Sequence, residues 1–275
     1  MTQHLDRAAR TIADADALLI TAGAGMGVDS GLPDFRGPEG FWRAYPAYRD
    51  LGLRFEELAQ PGWFRRDPNL AWGFYGHRLA LYRSTTPHEG FGILQRWAER
   101  KPRGAFIFTS NVDGHFQRAG FDEAMVLECH GSLTHAQCIE ACGAEIFPTE
   151  ALEVDVDPVT FRAKGPLPRC PSCGALARPN VLMFADGAWD DSRTARAESH
   201  LDGWLSELAD AKLAIVELGA GTAVPSVRSF GEWIATSHDA TLVRINLREP
   251  RVPDGHVSVA SGALEGLRAV DARIG

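Results

Sequence analysis

The chain has 275 residues, 45% of them hydrophobic and 23% charged, and carries a formal net charge of −8. That size and balance describe a globular protein with room for one large and one smaller domain, and the acidic excess argues against a non-specific grip on nucleic acid or on an anionic membrane. No apolar run approaches the ~20 residues that span a bilayer, and five cysteines, four of them in two close pairs, fit a metal site in a reducing, cytoplasmic interior better than a disulfide framework.

In chain order, Leu5, Ala8, Ala9 and Ile12 share one face of an expected helix over residues 4–15, amphipathic and unlike a signal peptide. An apolar strand over 17–22 then runs into TAGAGMGVDSGLPDFRG, residues 21–37. A strand that ends in alternating glycines lets backbone approach a phosphate and aim N–H groups at it. The dinucleotide fingerprint would need a third glycine where Val28 stands and an acidic residue ~20 positions on. Neither is in place, so the turn is a variant of that device. Residues 38–103 are aromatic-rich and mostly helical, with rings such as Trp42, Tyr45, Trp72, Phe74 and Tyr75 expected in a layer over the nucleotide pocket.

A second strand over 105–109 ends in Ser110, Asn111 and Asp113, and a third over 124–127 ends before His130. In parallel sheets ligands sit beyond the carboxyl ends of strands. Asn111 and Asp113 therefore stand where chemistry can occur, and His130 is a candidate general base. Cys138 and Cys142 in CIEAC and Cys170 and Cys173 in CPSC bracket a proline-studded segment with short β-like pieces. Two paired-thiolate knuckles of this kind describe a structural zinc ribbon, with all four tetrahedral positions filled. Cys129 is left over as a buried free thiol. A strand over 178–184, a helix over 193–209, a buried strand over 213–218 ending in Gly219-Ala220-Gly221-Thr222, a helix from 225, a strand over 241–246 and a helix over 260–270 complete the chain. Alternating strands and helices give an α/β fold, a doubly wound parallel sheet into which the zinc module is inserted.

With those residues in place, the chain resembles the sirtuins, the NAD-dependent protein lysine deacylases. The resemblance runs nearly end to end, through GAGMGVDSGLPDFRG (23–37), TSNVDGHFQRAG (109–120), CHGSL (129–133), both cysteine pairs, RPNVLMF (178–184), the turn at 219–222 and IN (245–246). It implies a Rossmann-like NAD-binding domain over 1–37, 85–132 and 181–275, a helical module over 38–84 and a zinc-ribbon module over 133–180, with NAD in the cleft between them. Gly23, Ala24, Gly25, Asp34, Phe35 and Arg36 are expected around the diphosphate and nicotinamide ribose. Asn111 and Asp113 would hold the nicotinamide pocket, Ser110, Gly219 and Gly221 line the cofactor, and Asn246 meets the adenosine ribose. His130 would be the base, and Val181 and Phe184 would face the substrate. In the family's chemistry the acyl oxygen attacks C1′ of the nicotinamide ribose and expels nicotinamide. The histidine then deprotonates a ribose hydroxyl, which attacks the imidate, giving free lysine and O-acyl-ADP-ribose.

Tyr75-Gly-His-Arg78 reproduces the Tyr-x-x-Arg pair of sirtuins that accept malonyl and succinyl lysine, and residues three apart share a helix face. Three departures stand out. Ser110 replaces the family's glutamine, Gly219-Ala220-Gly221 replaces Gly-Thr-Ser, and Phe184-Ala185-Asp186 replaces Phe-Gly-Glu, where a positive φ would strain an alanine. The sequence thus reads as an NAD-dependent deacylase acting on acyl-lysine proteins, with a monomer favoured but the oligomeric state not given by the sequence, and with no nucleic acid or membrane partner. ADP-ribosyl transfer or NAD hydrolysis in the same cleft is the enzymatic alternative, and a sensing module with little turnover is the non-enzymatic one.

Overall fold

The computed structural model describes residues 2–33 and 37–274, with the side chains of 37–40 outside the description. The strands are β1 (Ala17–Ala22), β2 (Ala105–Thr109), β3 (Val126–Glu128), β4 (Gly131–Cys138), β5 (Phe147–Pro148), β6 (Asp155–Val156), β7 (Ala163–Lys164), β8 (Ala177–Val181), β9 (Leu213–Leu218), β10 (Thr241–Ile245) and β11 (Val257–Val259). The helices are α1 (Thr2–Ala13), α2 (Gly25–Val28), α3 (Gly37–Ala44), α4 (Pro46–Asp50), α5 (Phe55–Leu58), α6 (Trp63–Arg66), α7 (Pro68–Ser84), α8 (Glu89–Glu99), α9 (His115–Arg118), α10 (Ser192–Ser206), α11 (Ser226–Ser237) and α12 (Ala263–Ile274).

Six strands form one parallel sheet in the order β11-β10-β9-β1-β2-β3. Side chains on a strand alternate between faces. Leu18, Ile20 and Ala22 of β1 accordingly join Ile12, Leu94, Trp97 and Leu267 in one core, while Ala17 and Leu19 join Leu201, Leu205 and Ile234 in another. Because helices cover both faces, β1 and β9 are buried along their whole length and read as largely apolar runs, broken only by Thr21 and by Glu217, which pairs with Arg244. The strand order reverses between β1 and β9, so the mouth of the sheet opens where these two strands end. The expected strands and helices of this domain are all present, with ends shifted by a few residues, and β11 is one the sequence did not announce.

A third core lies outside the sheet. Phe41, Tyr45, Tyr48, Trp72, Phe74 and Tyr75 from the helices between 37 and 84 pack in it with Ala163, Val181 and Met183 from the ribbon side. The two small modules meet at backbone distance. A Cβ at Gly73 of α7 would fall 2.0 Å from the Phe161 carbonyl oxygen, so only glycine fits there. Tyr48 Oη donates to that same carbonyl at 2.8 Å, and Trp72 Nε1 donates to the Ala177 carbonyl of β8 at 2.9 Å. The ribbon hangs from the antiparallel pair β4 and β8. β4 starts immediately after His130, so the strand that carries the metal knuckle also fixes the candidate base.

Candidate functional site

The glycine turns after β1 and β9 touch through their backbones. A Cβ at Gly23 would lie 2.7 Å from Ala220 Cα, and one at Gly219, where φ is +60°, would lie 2.5 Å from Gly25 Cα. The amides of Gly23 and Gly25 donate to the Leu218 and Gly219 carbonyls at 2.9 and 3.0 Å. These N–H groups are consumed in joining the turns. Those of Ala24 and Gly221 have no intramolecular hydrogen bond among the described residues and remain available to an anion. Such a cradle at the switch point of a doubly wound sheet fits the diphosphate of a dinucleotide. Asn246 braces it from beneath. Its Nδ2 donates to the Ala220 carbonyl at 2.7 Å and its Oδ1 accepts from the Arg248 and Glu249 amides at 3.0 Å each. Thr222 closes the turn onto the Glu249 carboxylate through its amide, at 3.1 Å, and its hydroxyl.

The end of β2 is tied to the first turn. The Ser110 amide donates to the Ala22 carbonyl at 3.2 Å, and Asn111 Nδ2 donates to the Gly23 carbonyl at 3.1 Å. The Asn111 amide rests on Thr109 Oγ1, whose hydroxyl donates to the Ala22 carbonyl. Asp113 Oδ1 accepts from the His115 amide at 2.9 Å, and its Oδ2 lies over Gly27 of α2. Two strand ends are thereby locked into one polar wall, with the Asn111 amide oxygen and the second Asp113 oxygen left for a ligand. Asp34, Phe35 and Arg36 lie outside the described residues.

His130 follows β3. Burial pushes its imidazole below the ordinary histidine range, so the neutral form prevails near pH 7. Its Nε2 lies 3.3 Å from Ser226 Oγ at the start of α11, and its carbonyl accepts from the Leu182 amide at 3.0 Å. The segment after β8 therefore runs beside the base. Val181 is buried, while Leu182 and Phe184 are partly exposed. The Phe184 amide donates to the Ala59 carbonyl at 2.9 Å, and its ring meets Phe55 edge-on at 6.2 Å. Ala185 takes φ +55°, the left-handed conformation the sequence flagged as a strain. Asp186 holds that bend: its carboxylate is paired with Arg178, both side chains being nearly fully buried, and it accepts from the Met183 amide at 3.2 Å. The bend ends β8 at Val181, earlier than the strand over 178–184 that the sequence suggested. Cys129 is half-buried rather than fully buried as expected, and burial pushes its thiol up to about 12.

Tyr75 and Arg78 come together on α7 and both are buried. Tyr75 stacks on Phe64 at 5.8 Å, and burial raises its phenol, which therefore stays protonated. The guanidinium lies 5.3 Å from the Phe74 ring centre, and its Nε and Nη2 both donate to Tyr82 Oη, at 3.0 and 2.6 Å. Two residues of this neighbourhood escaped sequence reasoning. Tyr82 stands four residues after Arg78, a spacing that could have exposed it. Ser226 is 96 positions from His130, and no local pattern joins them.

Cys138, Cys142, Cys170 and Cys173 converge, their four sulfurs within 4.8 Å of one another. The Cys138–Cys173 and Cys142–Cys170 separations are 3.6 and 3.7 Å. Both are too long for a disulfide and match the ~3.8 Å edge of a sulfur tetrahedron built on Zn–S bonds of ~2.3 Å. The site fits zinc and has no position left for a reactive water.

The family profile described as the Sir2 family matches residues 23–205. An NAD-dependent protein deacylase of Thermus thermophilus is 32% identical over 273 residues, covering 96% of this chain and 93% of that protein. The mitochondrial NAD-dependent protein deacylase sirtuin-5 of Danio rerio is 36% identical over 198 residues, covering 66% of this chain and 61% of its own. A solved Sir2 homologue in complex with NAD superposes with a TM-score of 0.72 at 28% identity, over 98% of this chain and 93% of its own.

Proposed function

The chain belongs to the Sir2 family, and from that premise we propose that it is an NAD-dependent protein lysine deacylase whose pocket accepts acidic acyl groups such as succinyl and malonyl. NAD would supply the ribose carbon that takes up the acyl oxygen as nicotinamide leaves, which activates the acyl carbon, and zinc would supply only the fold of the ribbon. The observation that carries the reading is the joining of three strand ends at one mouth: the touching turns after β1 and β9, and Asn111 bonded to Gly23.

Ala24, Gly221 and the glycines around them would hold the diphosphate. Asn111 and Asp113 would position the nicotinamide carboxamide, with Ser110 beside them. Asn246 shapes the adenosine end by bracing Ala220. His130 would accept the ribose hydroxyl proton at Nε2, with Ser226 Oγ fixing the ring; burial favours the neutral imidazole this needs. Leu182 and Phe184 would offer their partly exposed side chains to an extended acyl-lysine segment. Arg78, oriented by Tyr82 and flanked by Tyr75, would clamp a distal carboxylate. The large domain would comprise 1–37, 85–132 and 181–275, with the helical module and ribbon as its smaller partner, working as a monomer in the cytoplasm. Relatives named as deacylases do not favour ADP-ribosyl transfer or NAD hydrolysis as the principal activity.

The test incubates the protein and NAD with acetyl- and succinyl-lysine peptides and follows the acyl group by mass spectrometry. O-acyl-ADP-ribose is the expected product; ADP-ribose alone would refute deacylation. Arg78→Met should lower kcat/KM for the succinyl peptide by roughly 10- to 100-fold, the worth of one charge-assisted contact, while the acetyl peptide changes little. An equal loss on both removes the acidic-acyl reading and leaves deacylation standing.

A further inference from the structure

A cavity of about 250 Å³ opens away from the NAD cleft, between β3, β4 and α10, and is lined by Glu123, His135, Arg193, Arg196 and His200 with Ile146 on its apolar wall. Arg193, Arg196 and His200 stand at i, i+3 and i+7 of α10 and share one helix face. Arg193 Nη2 holds two carboxylates. It bonds the buried Glu128 at 2.7 Å, and at 3.1 Å it reaches Glu123, whose side chain is 63% exposed. The side chains of Arg196 and His200 make no hydrogen bond or ion pair among the described residues. An exposed carboxylate resting on a nearly buried guanidinium marks where an anion sits, and it swings into water at little cost.

The inner wall has a defined polarity. Burial pushes the Glu128 carboxyl up and Arg193 opposes that shift; facing the guanidinium at 2.7 Å, Glu128 acts as the acceptor. Ser132 Oγ donates to Glu128 Oε1 at 3.0 Å. With its proton spent there, Ser132 must accept from Thr134 Oγ1 at 2.9 Å. Thr134 in turn must accept from His135 Nδ1 at 2.9 Å. The chain thus fixes the Nδ1–H tautomer and leaves His135 Nε2 as a bare acceptor beside the cavity. Burial, with Arg193 nearby, holds this imidazole down to about 4, so it stays neutral.

We infer that this cavity is a second ligand site, for a small organic anion bearing a hydroxyl donor: a hydroxycarboxylate. The carboxylate replaces Glu123 on Arg193 and gains Arg196. The hydroxyl donates to His135 Nε2, and Ile146 covers the carbon chain. No step of deacylation is needed for the inference.

Titration calorimetry on the zinc-loaded protein, saturated with ADP-ribose so that the NAD cleft is filled, tests it with malate and with succinate, which lacks the hydroxyl. Malate should bind with a Kd of about 1 mM or below, and succinate about 10-fold more weakly, because its absence of a donor leaves His135 Nε2 unpaired. Arg196→Ala should weaken malate about 10-fold without changing zinc content or thermal midpoint, since Arg196 is exposed. Arg78→Met should leave malate binding unchanged. Equal affinity for the two acids, no heat from malate at ~20 mM, or binding lost with Arg78→Met and kept with Arg196→Ala would each overturn the inference.

Discussion

His130, the proposed base, owes its neutral imidazole to burial. A histidine whose pKa is lowered in the fold is deprotonated as pH rises through that lowered value, so the active form is complete by the ordinary value of ~6.5. The acid limb of kcat/KM should therefore fall below pH ~6.5. His130→Ala should lose the limb together with roughly 10²- to 10⁴-fold in rate; an intact limb in that variant would assign it to another group. The stability linkage has the same direction. Between the lowered folded pKa and the unfolded ~6.5 the native state binds fewer protons, so stability rises with pH across that window and falls as pH drops through it. Ala185 carries a different cost. An L-residue in the left-handed region gives up ~1 kcal/mol or more, and glycine there returns part of it as unfolded-chain entropy, ~0.4–1 kcal/mol. Ala185→Gly should raise stability in urea by at most about 1 kcal/mol; a clear loss would show that Asp186, not φ, sets the bend's energy. The place of His130 after a strand and the left-handed turn at Ala185 were both legible, the latter from the family's glycine. Ser226 was not, because its contact with the ring crosses 96 positions and depends on how α11 packs.

Among the elements, the glycine turns changed most in meaning. Their sequence spacing pointed to N–H groups aimed at phosphate. In the folded chain Gly23 and Gly219 serve first to let two turns touch, and the amides left open belong to Ala24 and Gly221. Gly219→Ala should accordingly act on structure and ligand together. Its Cβ would meet backbone at 2.5 Å, with φ at +60°. Stability should fall by roughly 2 kcal/mol or more, with NAD affinity reduced more than 10-fold. Calorimetry on the folded fraction separates the two effects, and normal affinity there would deny the turn its cofactor role. The strands of the main sheet were readable because both faces are covered and most of their residues are apolar, with Glu217 and Arg244 paired to each other inside it. The run from β4 to β8 was not, because an eight-residue strand with His and Gln gains its order from β8 and from the metal knuckle rather than from any periodicity of its own.

Across the whole molecule, the two small modules behave as one body. The aromatic helices and the ribbon share the third core, and the backbone of Phe161 lies directly on Gly73. Structural zinc sites contribute folding energy outright, so removing the metal should loosen more than the ribbon. Chelation should release about one zinc per chain, shift tryptophan emission to the red as Trp72 loses its bond to Ala177, and lower deacylation although no cysteine stands at the NAD cradle. Unchanged emission with zinc gone would mean that the two modules are held independently. The sequence named the four sulfurs from their spacing, but the shared core depends on side chains from 32 to 183, a range that no local pattern covers. The approach at Gly73 has a kinetic consequence. Arg78 sits on the same helix, five residues further along, so a chelator or thiol oxidant would inhibit without resembling either substrate. It would act as a non-competitive inhibitor, thinning the population of competent molecules while those that keep their zinc retain an unaltered KM.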